Sequence, residues 1–274
     1  MSVSRIKSIA ITALVLVNAF FLAIIIKDTY EDARGERQAL ESVCAILQSN
    51  GIEISPDSVE SAGALMTMRT ARGVELEAAI ASALLGPVDM TDQGVIFQYE
   101  NIDTGTAKFS SGGDFEIQLY ESVISDAGGT IKTARELLRS MKLDASVSVS
   151  GVSITSEGET VTAVNMYKGT KIHNSTIDFI FYEGSLRTVR GRYVTGIEQM
   201  EGGVPISHIG TALLRLLAAE KAGDVECANI SSVEAGYYYN VVGSFGGVID
   251  PVWLITTEAG QYLIDSATGE IRAC

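Results

Sequence analysis

Few residues of this 274-residue chain have the types and spacing that catalysis requires. The two histidines, His173 and His208, lie far apart, and neither has a catalytic partner at a recognisable spacing. Neither the HExxH pattern of zinc peptidases nor the GxSxG turn of serine hydrolases occurs. The segment Ser4–Lys7 matches SxxK, but it directly precedes a long apolar run, and we interpret the match as chance. We therefore expect no enzymatic activity and no cofactor.

Metal-binding patterns are also missing from the sequence. Cys44, Cys227 and Cys274 are odd in number and widely spaced, and they form neither a CxxC pair nor a zinc-finger spacing. Free thiols are the expected state, although one disulfide stays open as an alternative. The stretch Asp265–Glu270 lacks the Asp-x-Asp-x-Asp-Gly pattern of an EF-hand loop, so we interpret it as a turn. We expect no metal site.

One dense basic cluster, Arg187, Arg190 and Arg192, is a candidate partner-binding site. Side chains alternate along a strand, so Arg190 and Arg192 are predicted to share one face. There they could bind an acidic partner or a phosphate-bearing wall polymer. The alternative is an edge strand whose charges prevent association with other strands.

Aromatic residues gather near the C-terminal end of the chain. Tyr and Trp often anchor protein interfaces, which makes Tyr238 and Trp253 candidate partner-binding residues. Strand alternation also places some of these aromatic side chains in the core, and both interpretations stay open. The full set is Tyr237, Tyr238, Tyr239, Trp253 and Tyr262.

A membrane anchor is predicted at Ile9–Ile26, an uncharged run of eighteen residues. As a helix it would be about 27 Å long, close to the hydrocarbon thickness of a bilayer. The run is longer than most signal-peptide cores, and it ends in bulky residues rather than at a small-residue cleavage site. We therefore expect a single-pass protein of the cell membrane with its N-terminus in the cytoplasm and the bulk of the chain outside.

One face of this predicted span is a candidate helix–helix interface. Ser8, Thr12, Ala19 and Ala23 lie near one side of the helix, and small residues let helices approach closely in lipid. Asn18 lies beside that face and could donate a hydrogen bond across it. The alternative is that small residues and a single Asn are simply tolerated in a span.

The remainder of the chain is acidic and has the composition of a mixed α+β protein. The net charge is 20 − 34 = −14, and the part from Lys27 onward carries 18 − 34 = −16. Such a charge disfavours nucleic acid as a partner. Frequent Val, Ile, Thr, Ser, Gly and Tyr favour strands and turns over an all-helical fold.

A pattern of one amphipathic helix followed by several short strands occurs three times. Helices are predicted near Val74–Leu85 and from Thr130 (as the N-cap) to Met141. In the third unit, which starts at Pro205, the predicted helix buries Ile209, Leu213, Leu216 and Leu217 and ends by Gly223. Alternating residues such as Phe115, Ile117 and Leu119 predict sheets with one buried face. The predicted divisions are a cytoplasmic tip and anchor (1–27), a juxtamembrane helix or stalk (28–60), and three α+β units (61–125, 126–200 and 201–274).

The juxtamembrane helix has Leu40, Val43 and Leu47 at helical spacing. Its apolar side either pairs with a partner's stalk or packs on the chain's own extracytoplasmic part.

The last unit carries a resemblance to known families. Pro251–Leu254, Gly260–Asp265 and Thr268–Ile271 resemble the C-terminal strands of PepSY-like domains, which end in a P-x-W strand and a D-x-x-T-G-E turn. The resemblance implies an α+β fold of tandem helix-on-antiparallel-sheet units, cystatin-like or PepSY-like, after one transmembrane helix. The whole layout is similar to YycI-type regulatory proteins. That resemblance implies an extracytoplasmic regulator that binds a membrane sensor kinase controlling cell-wall metabolism.

A second function remains compatible with the sequence. PepSY-like modules also suggest an anchored inhibitor or chaperone of a secreted peptidase. In the first function the span itself contacts a partner, whereas in the second it is only a tether. The bilayer is a predicted partner in both, and the sequence does not indicate whether the chain forms homo-oligomers.

Overall fold

The computed structural model of the chain describes residues 35–60, 62–120, 123–126, 128–156, 158–243 and 246–274. Within these ranges, no helix is long and apolar enough to cross a membrane. The predicted span at 9–26 and the five residues of its candidate face lie outside the described ranges.

The described residues form a mixed α+β fold with four α-helices and one large sheet. A single turn of 3-10 helix lies at Pro56–Ser58. The helices are α1 (residues 35–49), α2 (Val74–Leu85), α3 (Thr130–Ser140) and α4 (Ile209–Ala222). The strands are β1 (Glu53–Ile54), β2 (Met68–Ala71), β3 (Asp89–Asp92), β4 (Ile96–Asn101), β5 (Gly105–Ser110), β6 (Asp114–Leu119), β7 (Ala145–Thr155), β8 (Gly158–Tyr167), β9 (Thr170–Tyr182), β10 (Ser185–Arg192), β11 (Glu198–Gln199), β12 (Asn229–Val241), β13 (Gly246–Thr257), β14 (Gln261–Asp265) and β15 (Ile271–Ala273).

The helix boundaries follow from local sequence signals. α2 ends at Gly86, whose φ of 78° suits glycine, and Pro87 follows. α4 ends at Gly223 in the left-handed conformation, with its N–H donating to the carbonyls of Ala219 and Glu220. The predicted bounds of α2 are confirmed. The prediction of Thr130 as an N-cap is wrong, because Gly129 takes that position and the Thr130 hydroxyl instead donates to Glu159 Oε1 at 2.6 Å.

The sheet has two regions. In the eight-strand region the order is β7-β8-β9-β10-β6-β5-β4-β3, and all neighbours are antiparallel. The C-terminal region is built around the long hairpin of β12 and β13, with β1, β2, β11, β14 and β15 beside it. A short parallel pairing of β9 with β12, at Ile172 and Tyr237, joins the two regions.

Each region buries its own apolar face. α2 and α3 cover the eight-strand region, where the predicted inward residues Phe115, Ile117 and Leu119 are buried. α1 and α4 cover the C-terminal region and pack against Trp253 and Ile255. A smaller apolar cluster lies where the regions meet. The strands predicted for the first and second units share one sheet through the β6–β10 pairing, and the division into three units stays a prediction.

The first helix packs on the chain's own body. Cys44 and Leu47 are buried in the same cluster as residues of α4, and Leu40 and Val43 pack at its edge. Within the described part of the predicted stalk, Cys44 and Leu47 are therefore covered by the chain's own body. Leu40 and Val43 are only half-buried.

Candidate binding surfaces

The arginine cluster lies in the middle of the sheet, not at an edge. β10 pairs with β6 along Thr188–Arg192 and with β9 along Ser185–Gly191. The interpretation of this cluster as a charged edge strand is therefore wrong, because both edges of β10 are already hydrogen-bonded. Alternation along β10 places Arg190 and Arg192 on the face opposite the buried Val189, and Arg187 lies at a β-bulge.

Carboxylates of the same sheet surround these arginines. Arg192 donates from Nε and Nη2 to the two oxygens of Asp114, at 2.8 and 3.2 Å. Glu116 and Asp178 lie opposite Arg190 on the two neighbouring strands. With Lys108 they line a shallow depression of about 540 Å³. Three basic and three acidic side chains line this depression, so their formal charges balance, and partner binding by the cluster stays a prediction.

The C-terminal aromatic residues divide between core and surface. Trp253 is 2% exposed, and its Nε1 donates to the carbonyl of Ser207 at 2.9 Å. Tyr237 and Tyr239 are also buried. Tyr238 is half-buried on the opposite strand face, with the Arg272 guanidinium carbon 5.1 Å from its ring centroid. Trp253 is thus a core residue, although one part of it lines the groove described next.

A groove of about 740 Å³ lies between α1, the segment 56–64 and the start of α4. Its floor is apolar and is formed by Leu40, Val59, Ile206, Ile209 and Trp253. Apart from Trp253, these floor residues are only half-buried, so the groove presents apolar surface to solvent. Concave apolar surface with a few polar groups at its rim is the usual form of a binding site.

The rim of this groove is predominantly acidic. Glu36, Asp57 and Glu60 are exposed acids on it, and among the described side chains Arg37 is its one Arg or Lys, with the exposed His208 beside the start of α4. Arg37 Nη2 lies 3.4 Å from Asp57 Oδ1, which links α1 to the 3-10 turn across the groove. The two side chains are 67% and 85% exposed, so water screens the pair, and it can open at little cost.

Among the candidate partner-binding residues that the structure describes, Trp253 alone lines this groove. Its other lining residues lie at 36–64 and 206–209, too far apart in the chain to form a motif. The apolar spacing of Leu40 with Val43 and Leu47 predicted that α1 packs against something. It did not reveal that Leu40 stays partly uncovered.

A buried ion pair fixes α2 to the sheet. Arg72 donates from Nε and Nη2 to the two carboxylate oxygens of Glu77, at 2.6 and 3.0 Å. The Tyr193 hydroxyl donates to the same carboxylate. Burial and this hydrogen bond raise the pKa of Tyr193, so the phenol stays protonated and serves as a hydrogen-bond donor. Arg72 and Tyr193 thus occupy the carboxylate of Glu77, whose role is to position α2 on the sheet.

The two histidines have separate structural roles. His208 is the N-cap of α4, and its Nδ1 accepts a hydrogen bond from the Gly210 N–H at 3.2 Å. His173 lies at the junction of the two sheet regions, and burial lowers its pKa to about 4. Its buried Nε2 has no hydrogen-bond partner among the described residues. Lys171 and Glu234 form an ion pair of 2.5 Å beside it.

The thiols and the Asp265 turn have no arrangement for metal binding. All three cysteines are free, and burial raises the pKa of Cys227 to about 11, which keeps it a thiol. Asp265 Oδ1 accepts from the N–H groups of Ala267 and Thr268 at 2.8 and 2.9 Å, as an Asx turn does. Over the described ranges, no group of three His, Cys, Asp or Glu side chains could hold a metal ion.

Comparisons with known proteins give only distant structural likenesses. No protein-family model and no curated protein matches the chain. An uncharacterized protein from Eubacterium rectale aligns with a TM-score of 0.47 and 11% identity, over 78% of this chain and 86% of that one. The YpeB C-terminal domain of Bacillus megaterium aligns with a TM-score of 0.38 and 10% identity, over 74% of this chain and 98% of the domain. Both scores lie below 0.5, and YycI-type identity is not confirmed.

Proposed function

We propose that this chain is a membrane-anchored extracytoplasmic regulator that binds a membrane sensor kinase governing envelope metabolism. The predicted span at 9–26 holds it in the membrane and contacts the partner's helices through Ala19, Ala23 and their neighbours. The sheet body lies outside the membrane and adjusts that contact. Regulation of this kind requires that the protein bind two states of the partner with different affinities.

The packing of α1 on the body is the observation that carries this proposal. Leu47 and Cys44 are buried in one cluster with residues of α4 and of the sheet, so the helix that follows the predicted anchor is part of the body's core. A packed core transmits displacement because it has little room to deform. A ligand or partner that moves the body would therefore move the helix that leads to the anchor.

Substitutions within the span test the helix contact directly. We expect Ala19→Leu with Ala23→Leu to change the output of the partner kinase severalfold, because larger side chains prevent close approach of helices. Ala10→Leu with Ala13→Leu is the matched control, since these positions point to other sides of an ideal helix. The readout is a reporter gene of the kinase, measured at equal protein levels. An output that is the same for both pairs and for the native span contradicts the contact.

Exchange of the entire span distinguishes the second candidate function. Replacing residues 9–26 with an unrelated span of equal length impairs regulation if the span contacts a partner. It preserves regulation if the span is only a tether, as an anchored inhibitor or chaperone of a peptidase would require. Membrane fractionation of both variants ensures that the comparison is between anchored proteins.

A further inference from the structure

We propose that the groove beside α1 is a docking site for a cationic amphipathic segment of a partner protein. The inference rests on the proposed function in one respect only, which is that the chain acts by binding another protein. It specifies the chemistry of the segment that is bound: an apolar side to cover the floor and lysine or arginine on the side that meets the rim.

The floor determines the apolar half of this description. Leu40, Val59, Ile206 and Ile209 are half-buried, and together with Trp253 they form one apolar surface at the bottom of a concave site. Covering such a surface removes apolar area from water, which is the main favourable term in most protein association. Amphipathic segments commonly bind in this way, with their apolar residues laid into a groove.

The rim determines the charge. Three exposed acids, Glu36, Asp57 and Glu60, lie around the floor, against one arginine, Arg37, and no lysine among the described lining residues. The exposed imidazole of His208 also lines the groove. Arg37 already lies 3.4 Å from carboxylate oxygens of both Glu41 and Asp57. The rim thus has an excess of negative charge, in a chain whose net charge is −14. An acidic or neutral segment gains nothing from this rim, whereas a cationic segment gains both steering and ion pairs.

The position of the groove favours a partner at the membrane. One side of the groove is formed by residues 36–40 of α1. These residues lie ten to fourteen positions after the end of the predicted span at Ile26. A segment that binds there touches the helix leading to the anchor, and it touches the N-terminal end of α4 at the same time. Occupancy of the groove would therefore act on the element that the proposed function uses to reach the membrane.

The chain itself supplies a spectroscopic reporter. Trp253 is its only tryptophan and lines the groove, so energy transfer from Trp253 to a dansyl group on a peptide reports binding at this site. The probe is a helical peptide of leucine and lysine without aromatic residues. The protein is the full chain in nanodiscs of zwitterionic lipid, with empty nanodiscs to subtract binding of the peptide to lipid. We expect saturable transfer that weakens as salt is raised.

Three variants give the inference its controls. Glu36→Gln with Asp57→Asn and Glu60→Gln should weaken binding by about tenfold, because three exposed ion pairs of ordinary strength add up to a factor of this size. Ala64→Phe fills the groove from an exposed position and should abolish saturable transfer. Glu198→Gln with Glu201→Gln removes exposed acids that do not line the groove and should leave the affinity unchanged.

Several outcomes overturn the inference. Equal binding of a leucine–glutamate peptide, or binding that Ala64→Phe does not affect, would show that the groove does not select a cationic segment. A dimer of the chain alone that is lost in Ala64→Phe, seen by sedimentation, would assign the groove to a second copy. A failure of peptide binding leaves the span-exchange experiment unaffected, so the inference and the proposed function can fail separately.

Discussion

His173 makes the junction between the two sheet regions sensitive to acid. Its ring packs directly on the backbone of β12, and a Cβ at Gly236 would collide with Nε2. Burial holds its pKa at about 4, below the ordinary value of 6.5. The charged groups that act on it are Glu234, which raises the pKa, and Lys171, which lowers it. The effects of Glu234 and Lys171 on this pKa oppose each other, so burial is the dominant effect. The native state therefore favours the neutral imidazole.

The sign of the resulting pH dependence follows from these values. Above pH 6.5 the imidazole is neutral in both the folded and the unfolded chain, and it contributes no pH dependence. As the pH falls from 6.5 to 4, the unfolded chain binds the proton first, and stability is lost. The loss reaches about 3 kcal/mol at pH 4, at about 1.4 kcal/mol for each unit of pKa difference.

Replacing His173 with leucine tests this dependence. We expect the native chain to lose about 3 kcal/mol more than His173→Leu between pH 6.5 and 4, because only the native chain has this imidazole to protonate. Denaturant unfolding followed by Trp253 fluorescence at several pH values gives the two curves. Carboxylates titrate in both proteins, so the difference between the curves isolates the histidine. Parallel curves would show that His173 is not held neutral by the fold.

Single residues were also where the sequence was least informative about the site. Arg192 was recognised as basic, but its partner Asp114 is 78 positions away, and only the β6–β10 pairing brings the two together. Arg72 and Glu77 are near in sequence, yet nothing local indicates that both are buried. Residue type predicts what a side chain can do, whereas long-range strand pairing determines what it meets.

At the scale of elements, α1 is held on the body mainly by a few apolar side chains. Leu47 is fully buried in the cluster that includes α4 and Trp253, whereas its neighbour Ile46 is 44% exposed. The helix has no strand partners, so its position depends on these apolar side chains. Isolated helices are seldom stable in water, and tertiary packing supplies most of the stability of a helix within a protein.

Leu47→Ala tests how firmly α1 is held. We expect the substitution to lower the free energy of unfolding by about 2–5 kcal/mol, because it leaves a cavity in a fully buried site. Ile46→Ala, one residue away and exposed, should change it by about 0.5 kcal/mol or less. Urea unfolding of both variants gives the comparison. A small loss for Leu47→Ala would indicate that α1 lies loosely on the body.

Helices were easier to predict than strands for a physical reason. The bounds of α2 follow from Gly86 and Pro87, which end a helix whatever lies around it. The sequence predicts strands only from Thr160 onward in the second unit and from Tyr237 onward in the third, so it misses β7, where Ser alternates with Val along the first half, and the first half of β12. Gly151 on β7 and Gly236 on β12 interrupt the apolar alternation at places where another strand comes close. The reason for each glycine is visible only once the neighbouring strand is known.

At the scale of the whole molecule, the sheet is continuous although its cores are separate. The sequence predicted a mixed α+β fold correctly, because amphipathic periods are local. It predicted tandem antiparallel units and not the parallel pairing of β9 with β12 that joins the regions, because strand order depends on which edges remain open. The groove beside α1 could not be predicted for a similar reason, because it forms only where three segments that are distant in sequence converge.

Asn174 gives the last prediction, which concerns the cooperation of the two regions. Its amide donates to the Tyr239 carbonyl at 2.8 Å and accepts from the Tyr239 N–H at 2.7 Å, so it extends the short β9–β12 pairing. We expect Asn174→Ala to lower the free energy of unfolding by about 1–3 kcal/mol, because two backbone groups lose their partners. Hydrogen exchange should quicken in both β9 and β12, since each region supports the other. Asn240→Ala, which removes a bond between β12 and β13 inside one region, is the control and should leave β9 unchanged. Faster exchange of β12 alone in Asn174→Ala would show that the two regions are stable independently.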